Sequence, residues 1–172
     1  MLAAATAQAT DLDAFYRALA TVSFTLLGLW WVVVNARYGR GAGAADERRH
    51  ATGVVLFFLL PGVMCLIASI NSELAALWRF AFGACALIGI VEIALYLSSE
   101  GVRTAAGRAL RLAGLVLYAL IALVASAPSL VAESGIGLRP PEVASILLVL
   151  LLFVGANLVW LGLTEPAETA GA

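Results

Sequence analysis

The chain has 172 residues, of which 63% are hydrophobic and 12% are charged, and its formal net charge is −1. This apolar fraction is well above the roughly 45–50% of soluble domains, and the mean hydropathy is +1.01. The composition excludes a soluble enzyme domain and a sizeable nucleic-acid-binding surface, and it predicts a membrane protein with a single membrane domain at residues 1–172.

Five apolar stretches are each close to the length of about 20 residues that a helix needs to cross a hydrocarbon core of about 30 Å. They cover residues 15–35, 51–70, 74–97, 110–127 and 143–163. The sequence therefore predicts an all-α integral membrane protein, a bundle of five transmembrane helices. The connection at residues 71–73 is so short that the second and third spans should be neighbours.

Arginine placement predicts the orientation, because short cytoplasmic loops are enriched in Arg and Lys. Seven of the ten basic residues follow the first or the third span: Arg37, Arg40, Arg48, Arg49, Arg103, Arg108 and Arg111. The other side holds Arg17, Arg79 and Arg139. We therefore expect the N-terminus outside, the C-terminus in the cytoplasm, and a location in the plasma (inner) membrane.

The first span carries a polar and small-residue stripe. At 100° per residue, its members fall within about 80° of one another; they are Arg17, Thr21, Thr25, Gly28 and Asn35. Such a stripe should not face lipid. It predicts either a helix that lines a pore or cavity, or a helix whose small polar face packs against neighbouring helices.

The second span contains Pro61 followed by Gly62 in the sequence FLLPGVM. Proline removes a backbone hydrogen bond and permits a kink, which is either a hinge for gating or a static feature of the helix shape. Cys65 in this span and Cys85 in the next have neither a CxxC spacing nor a nearby His. We expect two core thiols, with no metal site and no cofactor.

The third span contains Glu92, flanked by Ile and Val about five residues from the inner end of the apolar run. An intramembrane carboxylate needs a cation, a hydrogen-bond donor, water or a proton, and is a candidate functional residue. The alternative is a structural carboxylate, satisfied by Asn35, Asn157 or an arginine of the inner loops. At the other end of this span, Arg79 beside Trp78 is expected to reach the outer headgroups; the alternative is an electropositive outer mouth that favours anions.

The fifth span contains Asn157 and is expected to start at Pro140-Pro141-Glu142, because proline is favoured in the first turn of a helix. Asn35, Glu92 and Asn157 should all lie in the inner half of the membrane, so three helices can bring polar groups to one depth. This trio, together with Thr21 and Thr25, is the predicted solute path.

These features predict a homo-oligomeric channel or transporter for an ion or small polar solute, with a path lined by the first span and Glu92. A ring of Glu92 side chains would favour cations. The alternative is an accessory or scaffold subunit, whose polar faces bind other membrane helices and whose basic loops meet anionic lipid. The motifs HExxH, GxSxG and CxxC do not occur, so we expect neither an enzyme nor a nucleic-acid-binding protein.

Overall fold

The computed structural model of the protein describes residues 2–38, 45–70, 75–97 and 104–164. Within these ranges the chain forms six α-helices and no strand. The helices are α1 Leu2–Tyr38, α2 Ala45–Ala68, α3 Ala75–Leu97, α4 Ala105–Ser126, α5 Pro128–Glu133 and α6 Pro140–Thr164. The all-α prediction is confirmed. The predicted count of five helices is wrong, because the loop before α6 folds into the short helix α5.

Four helices of the described ranges contain a segment that is long and apolar enough to cross a membrane. These segments are Asp11–Ala36 in α1, Ala76–Leu95 in α3, Ala105–Ser126 in α4 and Pro140–Leu163 in α6. The apolar part of α2, Thr52–Ala68, is shorter and extends only about 25 Å at 1.5 Å per residue. The structure therefore supports four of the five predicted spans as candidates, and α2 falls short because it ends at Ala68 and its first turns are charged (ADERRH).

The long helices form a closed ring of contacts. Each helix contacts the next one along the chain from α1 to α4, α4 contacts α6, and α6 closes the ring by contacting α1. Helices α2 and α6 also touch across the middle. The predicted contact between the second and third apolar helices is confirmed; the turn at 71–74 lies outside the described residues.

Helix α2 contributes more of the largest fully buried side chains than any other helix, among them Val54, Phe58, Met64 and Cys65. The outer faces of the other long helices carry large apolar side chains exposed on the surface, among them Val32, Phe80, Val116 and Phe153. Both cysteines are buried and unbridged. Apolar outer faces of this kind are compatible with contact to a lipid bilayer.

Short connections make chain neighbours antiparallel, so the bundle has two ends. At the α5 end, α4 and α2 finish and α3 and α6 begin; at the opposite end, α1, α3 and α6 finish. Aromatic rings join α1 and α3 at the α5 end, where Phe82 makes an edge contact with Tyr16 at 6.2 Å between centroids. Within α3, Phe82 makes a second edge contact with Trp78 at 5.7 Å. The Tyr16 hydroxyl donates to the Pro141 carbonyl at 2.6 Å.

Helix α4 begins five residues before the predicted span. Thr104 is its N-cap, with a hydroxyl that accepts from the Gly107 amide at 3.2 Å, as expected for a threonine in this position. This earlier start corrects the placement of Arg108, which was predicted to precede the span, whereas Arg111 was already inside the predicted residues 110–127. Arg111 lies in the second turn of α4 and is only 3% exposed.

Helix α6 starts at Pro140, as predicted. The backbone amide of Arg139 donates to the Glu142 carboxylate at 2.8 Å, and the Arg139 guanidinium pairs with the same carboxylate at 2.9 Å. Before it, Gly135 and Gly137 have positive φ angles of 69° and 75°. Glycine adopts this conformation without steric cost, which lets the chain turn sharply between α5 and α6.

Candidate functional site

A small cavity lies between α2, α3 and α4, toward the end of the bundle opposite α5. Its volume is about 10 Å³, close to the minimum that a single water molecule requires. Its walls are Gly53, Leu56 and Phe57 from α2, Gly89, Glu92 and Ile93 from α3, and Arg111 and Tyr118 from α4. We call it the Glu92 cavity.

Glycines and aromatic rings form the apolar side of the Glu92 cavity. A Cβ atom on Gly89 would lie 2.6 Å from Cζ of Tyr118, and one on Gly114 would lie 2.7 Å from Cζ of Phe57. The rings of Phe57 and Tyr118 are themselves in contact, with centroids 6.1 Å apart. Each ring therefore fits only because the residue opposite it on the facing helix is glycine. This packing holds the three helices together around the cavity.

Helical spacing places the polar groups of the cavity on common faces. Arg111, Gly114 and Tyr118 are separated by three and four residues, so they share one face of α4. Gly89 and Glu92 share a face of α3 in the same way. Because α3 and α4 are antiparallel neighbours, these two faces meet, with the glycine–tyrosine contact nearer the α5 end and the charged residues nearer the opposite end.

The Glu92 cavity brings opposite charges to one place in the interior. Arg111 is buried and Glu92 is half-buried. A Cβ atom on Gly53 would lie 3.8 Å from Nη1 of Arg111, so the guanidinium also abuts α2. The buried hydroxyl of Tyr118 has no hydrogen-bond partner among the described residues. Glu92, Arg111 and Tyr118 therefore line one space.

The other predicted site residues lie elsewhere. Thr21, Thr25 and Asn35 are on the exposed face of α1, and Asn157 of α6 is only partly buried. The lining of the Glu92 cavity includes none of them. The hydrogen bonds that these polar groups make lie within their own helices. The Thr25 hydroxyl donates to the Thr21 carbonyl at 2.7 Å, and the Asn157 amide donates to the Phe153 carbonyl at 2.8 Å.

The candidate hinge at Pro61 and Gly62 is buried against α1. A Cβ atom on Gly62 would lie 3.1 Å from Cζ of Phe24, and the Ser23 hydroxyl donates to the Phe58 carbonyl at 2.5 Å. Because proline has no N–H, α2 lacks one backbone bond in this turn. The carbonyl that Pro61 leaves without a donor is that of Phe57, whereas Ser23 bonds to the next one, that of Phe58. The Ser23 bond therefore ties α1 to this turn and does not replace the missing bond. Whether the turn moves stays a prediction.

Arg111, Tyr118 and Gly53 belong to the site but were not among its predicted residues. Arg111 lies inside the predicted fourth span, residues 110–127, but was counted there only among the arginines that indicate the orientation. Its spacing to Gly114 and Tyr118 places all three on one helix face. The sequence does not show that this face meets Glu92.

The stripe on α1 faces away from the rest of the chain. Thr21, Thr25, Gly28, Val32 and Asn35 are all exposed. They follow one another at intervals of four and three residues, the spacing of a helix–helix seam. A Cβ atom on Gly28 would have no neighbour within 4 Å. We call this surface the α1 seam.

No protein-family model, no curated protein and no solved structure matches this chain. Its class is defined by its fold and composition: an all-helical protein whose described part contains four helices that are apolar and long enough to cross a membrane. These helices indicate a membrane protein with a charged cavity inside the bundle.

Proposed function

We propose that the protein is a membrane channel or transporter for an ion or small polar solute, and that the Glu92 cavity is its polar site. The observation that carries this proposal is that Glu92, the buried Arg111 and the unpartnered Tyr118 hydroxyl line one space. Ionisable residues inside a membrane bundle are costly and typically mark a path for ions, protons or substrates.

The balance of charge in the cavity bears on what it binds. Glu92 alone would favour cations, as the sequence predicts. Arg111 adds a positive charge to the same space and reduces that preference. The cavity therefore suits a solute that accepts hydrogen bonds on one side and donates them on the other better than a bare alkali cation.

The size of the cavity implies motion. A volume of about 10 Å³ holds no more than a water molecule, so a larger solute requires the helices to separate. Helix α2 forms one wall through Gly53, Leu56 and Phe57, and Pro61 lies one turn beyond Phe57. We propose that α2 moves about Pro61 and Gly62 to open the cavity.

The membrane arrangement belongs to the same proposal. Helix α2 lies among four candidate spans and is buried by α1, α3 and α6, so we propose that it crosses the membrane as a fifth span despite its shorter apolar part. The arginine distribution supports an external N-terminus, a cytoplasmic C-terminus and residence in the inner membrane. In this orientation the Glu92 cavity is in the cytoplasmic half.

The test is solute flux through purified protein in liposomes, with wild type beside Glu92→Gln, in several salts and at two pH values. The substitution removes the charge and nearly preserves the shape, so flux or its selectivity should change. Thr25→Val is the matched control, because it removes a polar group from the α1 seam and leaves the cavity intact. Its flux should equal that of wild type.

Two results would overturn the proposal. Glu92→Gln with unchanged flux, selectivity and pH response would show that Glu92 is not on the path. Wild-type protein that is folded and correctly inserted, yet passes no solute, would favour the second candidate function.

That second candidate is an accessory or scaffold subunit, and the α1 seam favours it. The hydroxyls of Thr21 and Thr25 donate to carbonyls of their own helix, at 2.9 and 2.7 Å, so the seam needs no water. Small residues with satisfied hydroxyls suit close contact with another membrane helix. We propose that in an accessory subunit the seam binds a helix of a different membrane protein, and that in the channel or transporter it binds a second copy of this chain, which makes the protein a homo-oligomer.

A further inference from the structure

A second and larger hollow lies on the outside of the bundle, between α3 and α4 at the α5 end. Its volume is about 650 Å³, within the range of small-molecule binding sites. The lining comprises Arg79, Phe80, Gly83, Ala84, Leu87, Ala119, Ala122, Leu123, Ala125 and Ser126. We call it the Arg79 groove. It shares no lining residue with the Glu92 cavity.

The Arg79 groove exists because small residues face each other across two helices. Gly83 and Ala84 of α3 lie opposite Ala119 and Ala122 of α4, and a Cβ atom on Gly83 would have no neighbour within 4 Å. The α3 residues of the wall, 79–87, span about 12 Å along the helix axis. The result is an elongated apolar channel that is open toward the surroundings of the bundle.

One end of the groove is positively charged. Arg79 donates through Nε to the Ala125 carbonyl at 2.7 Å and through Nη2 to the Ser126 carbonyl at 2.9 Å. These bonds hold the guanidinium at the last turn of α4. They use two of the five N–H donors that an arginine has, so the anchored cation keeps donors for an anion.

The adjoining loop indicates the depth of this charged end. Just past Ser126, α5 and the turn after it combine exposed apolar residues, Leu130 and Ile136, with exposed polar ones, Glu133 and Ser134. Such a mixed surface is typical of a segment that lies at the membrane interface. The groove therefore runs from the headgroup level, at Arg79, toward the membrane interior.

We propose that the Arg79 groove binds an anionic phospholipid, with one acyl chain along the groove and the phosphate group on Arg79. An apolar channel with an anchored cation at its interfacial end complements both parts of such a lipid. Basic side chains between membrane helices bind lipid headgroups by this combination of charge and apolar contact. The proposal is independent of solute transport through the Glu92 cavity.

The experiment is native mass spectrometry of the purified protein, titrated separately with phosphatidylglycerol and with phosphatidylcholine of the same acyl chains. Wild type should bind phosphatidylglycerol more tightly. Gly83→Leu places a side chain in the groove without a clash and should weaken binding of phosphatidylglycerol about tenfold, equivalent to the loss of roughly two buried methylene groups. Gly28→Leu is the matched control: it makes the same change at an equally open glycine of α1 and should bind lipid as wild type does.

Arg79→Gln tests the headgroup contact. It should abolish the preference for phosphatidylglycerol over phosphatidylcholine and leave binding of phosphatidylcholine unchanged. If Arg79→Gln is misfolded by circular dichroism, Arg79→Lys replaces it, because a lysine keeps the charge and should retain the preference.

Three outcomes would overturn the proposal. In the first, Gly83→Leu binds lipid as tightly as wild type. In the second, wild type has no preference between the two headgroups. In the third, a dimer that Gly83→Leu abolishes excludes lipid, which would make a second copy of the chain the occupant of the groove.

Discussion

Glycines have opposite surroundings in two regions of the molecule. In the α2–α3–α4 region, Gly89 and Gly114 each face an aromatic ring so closely that a Cβ atom would come within 2.6–2.7 Å of it. In α1, a Cβ atom on Gly28 would have no neighbour within 4 Å. Glycine therefore lies in a tightly packed helix contact in the α2–α3–α4 region and on an open surface in α1.

Polar groups follow the same division. The charged residues of the α2–α3–α4 region, Glu92 and Arg111, line a small cavity, whereas Thr21 and Thr25 of α1 face outward and bond to their own helix. Residues that are common in membrane helices, such as Gly and Thr, therefore have roles that depend on which side chains face them. The first region has the features of a site and the second has those of an interface.

The largest expected effect comes from filling the space at Gly89. We expect Gly89→Val to destabilise the protein by about 1–3 kcal/mol, the usual range for overpacking, because the Tyr118 ring cannot withdraw from between α2 and α3. Thermal unfolding in detergent micelles measures this. Gly83→Val, at a position with no neighbour within 4 Å, should leave the midpoint unchanged. Equal midpoints for Gly89→Val and wild type would contradict the close packing.

Tyr118→Phe tests a buried polar group of the α2–α3–α4 region. The hydroxyl has no partner among the described residues, so its removal should stabilise the fold by about 1 kcal/mol, and solute flux should fall if the hydroxyl contacts the solute. Tyr16→Phe is the control with the opposite sign, since that hydroxyl bonds to Pro141. Destabilisation by Tyr118→Phe would show that its hydroxyl is satisfied.

Ser23→Ala tests the bond that joins the two regions, from α1 to the proline turn of α2. We expect a loss of about 0.6 kcal/mol, the average for a side-chain hydrogen bond between membrane helices, measured as a shift in the unfolding midpoint. Thr21→Val removes a hydroxyl that bonds only within α1 and should shift the midpoint less. A larger shift for Thr21→Val would assign more importance to the exposed seam than to the buried bond.

Gly28→Leu should have the smallest effect on unfolding and still change assembly. The new side chain clashes with nothing in the chain, so the unfolding midpoint of the monomer should stay the same. It would obstruct the α1 seam, and we expect the homo-oligomer to dissociate, as measured by light scattering coupled to size-exclusion chromatography. Gly83→Leu is the control. An unchanged oligomer in Gly28→Leu would exclude the seam as the self-association surface.

Much of the fold was predictable because hydropathy and length dominate in a membrane chain. The ends of α3 and the start of α6 lie close to their predicted positions. Helix α5 was missed because a six-residue helix has no room for a periodic pattern. The start of α4 was missed because Arg108 makes its first turn resemble a cytoplasmic loop, whereas the Thr104 cap begins the helix before it.

The site was predictable only in part. Glu92 could be identified because a carboxylate within an apolar run is costly in a membrane unless it has a partner. Its neighbours in the cavity depended on which helix faces which, and one sequence does not contain that information. Depth alone suggested Asn35 and Asn157, which lie at the same end of the bundle but on other faces. Arg111 shares both depth and direction with Glu92, and only the packing of α3 on α4 reveals the direction.

The buried position of α2 has a consequence for how the chain enters a membrane. Its apolar segment is the shortest among the long helices and is preceded by charged residues, so alone it would partition weakly from the translocation channel into lipid. Its buried side chains contact α1, α3 and α6. For α2 as the proposed fifth span, we therefore expect stable insertion to depend on helices made before and after it.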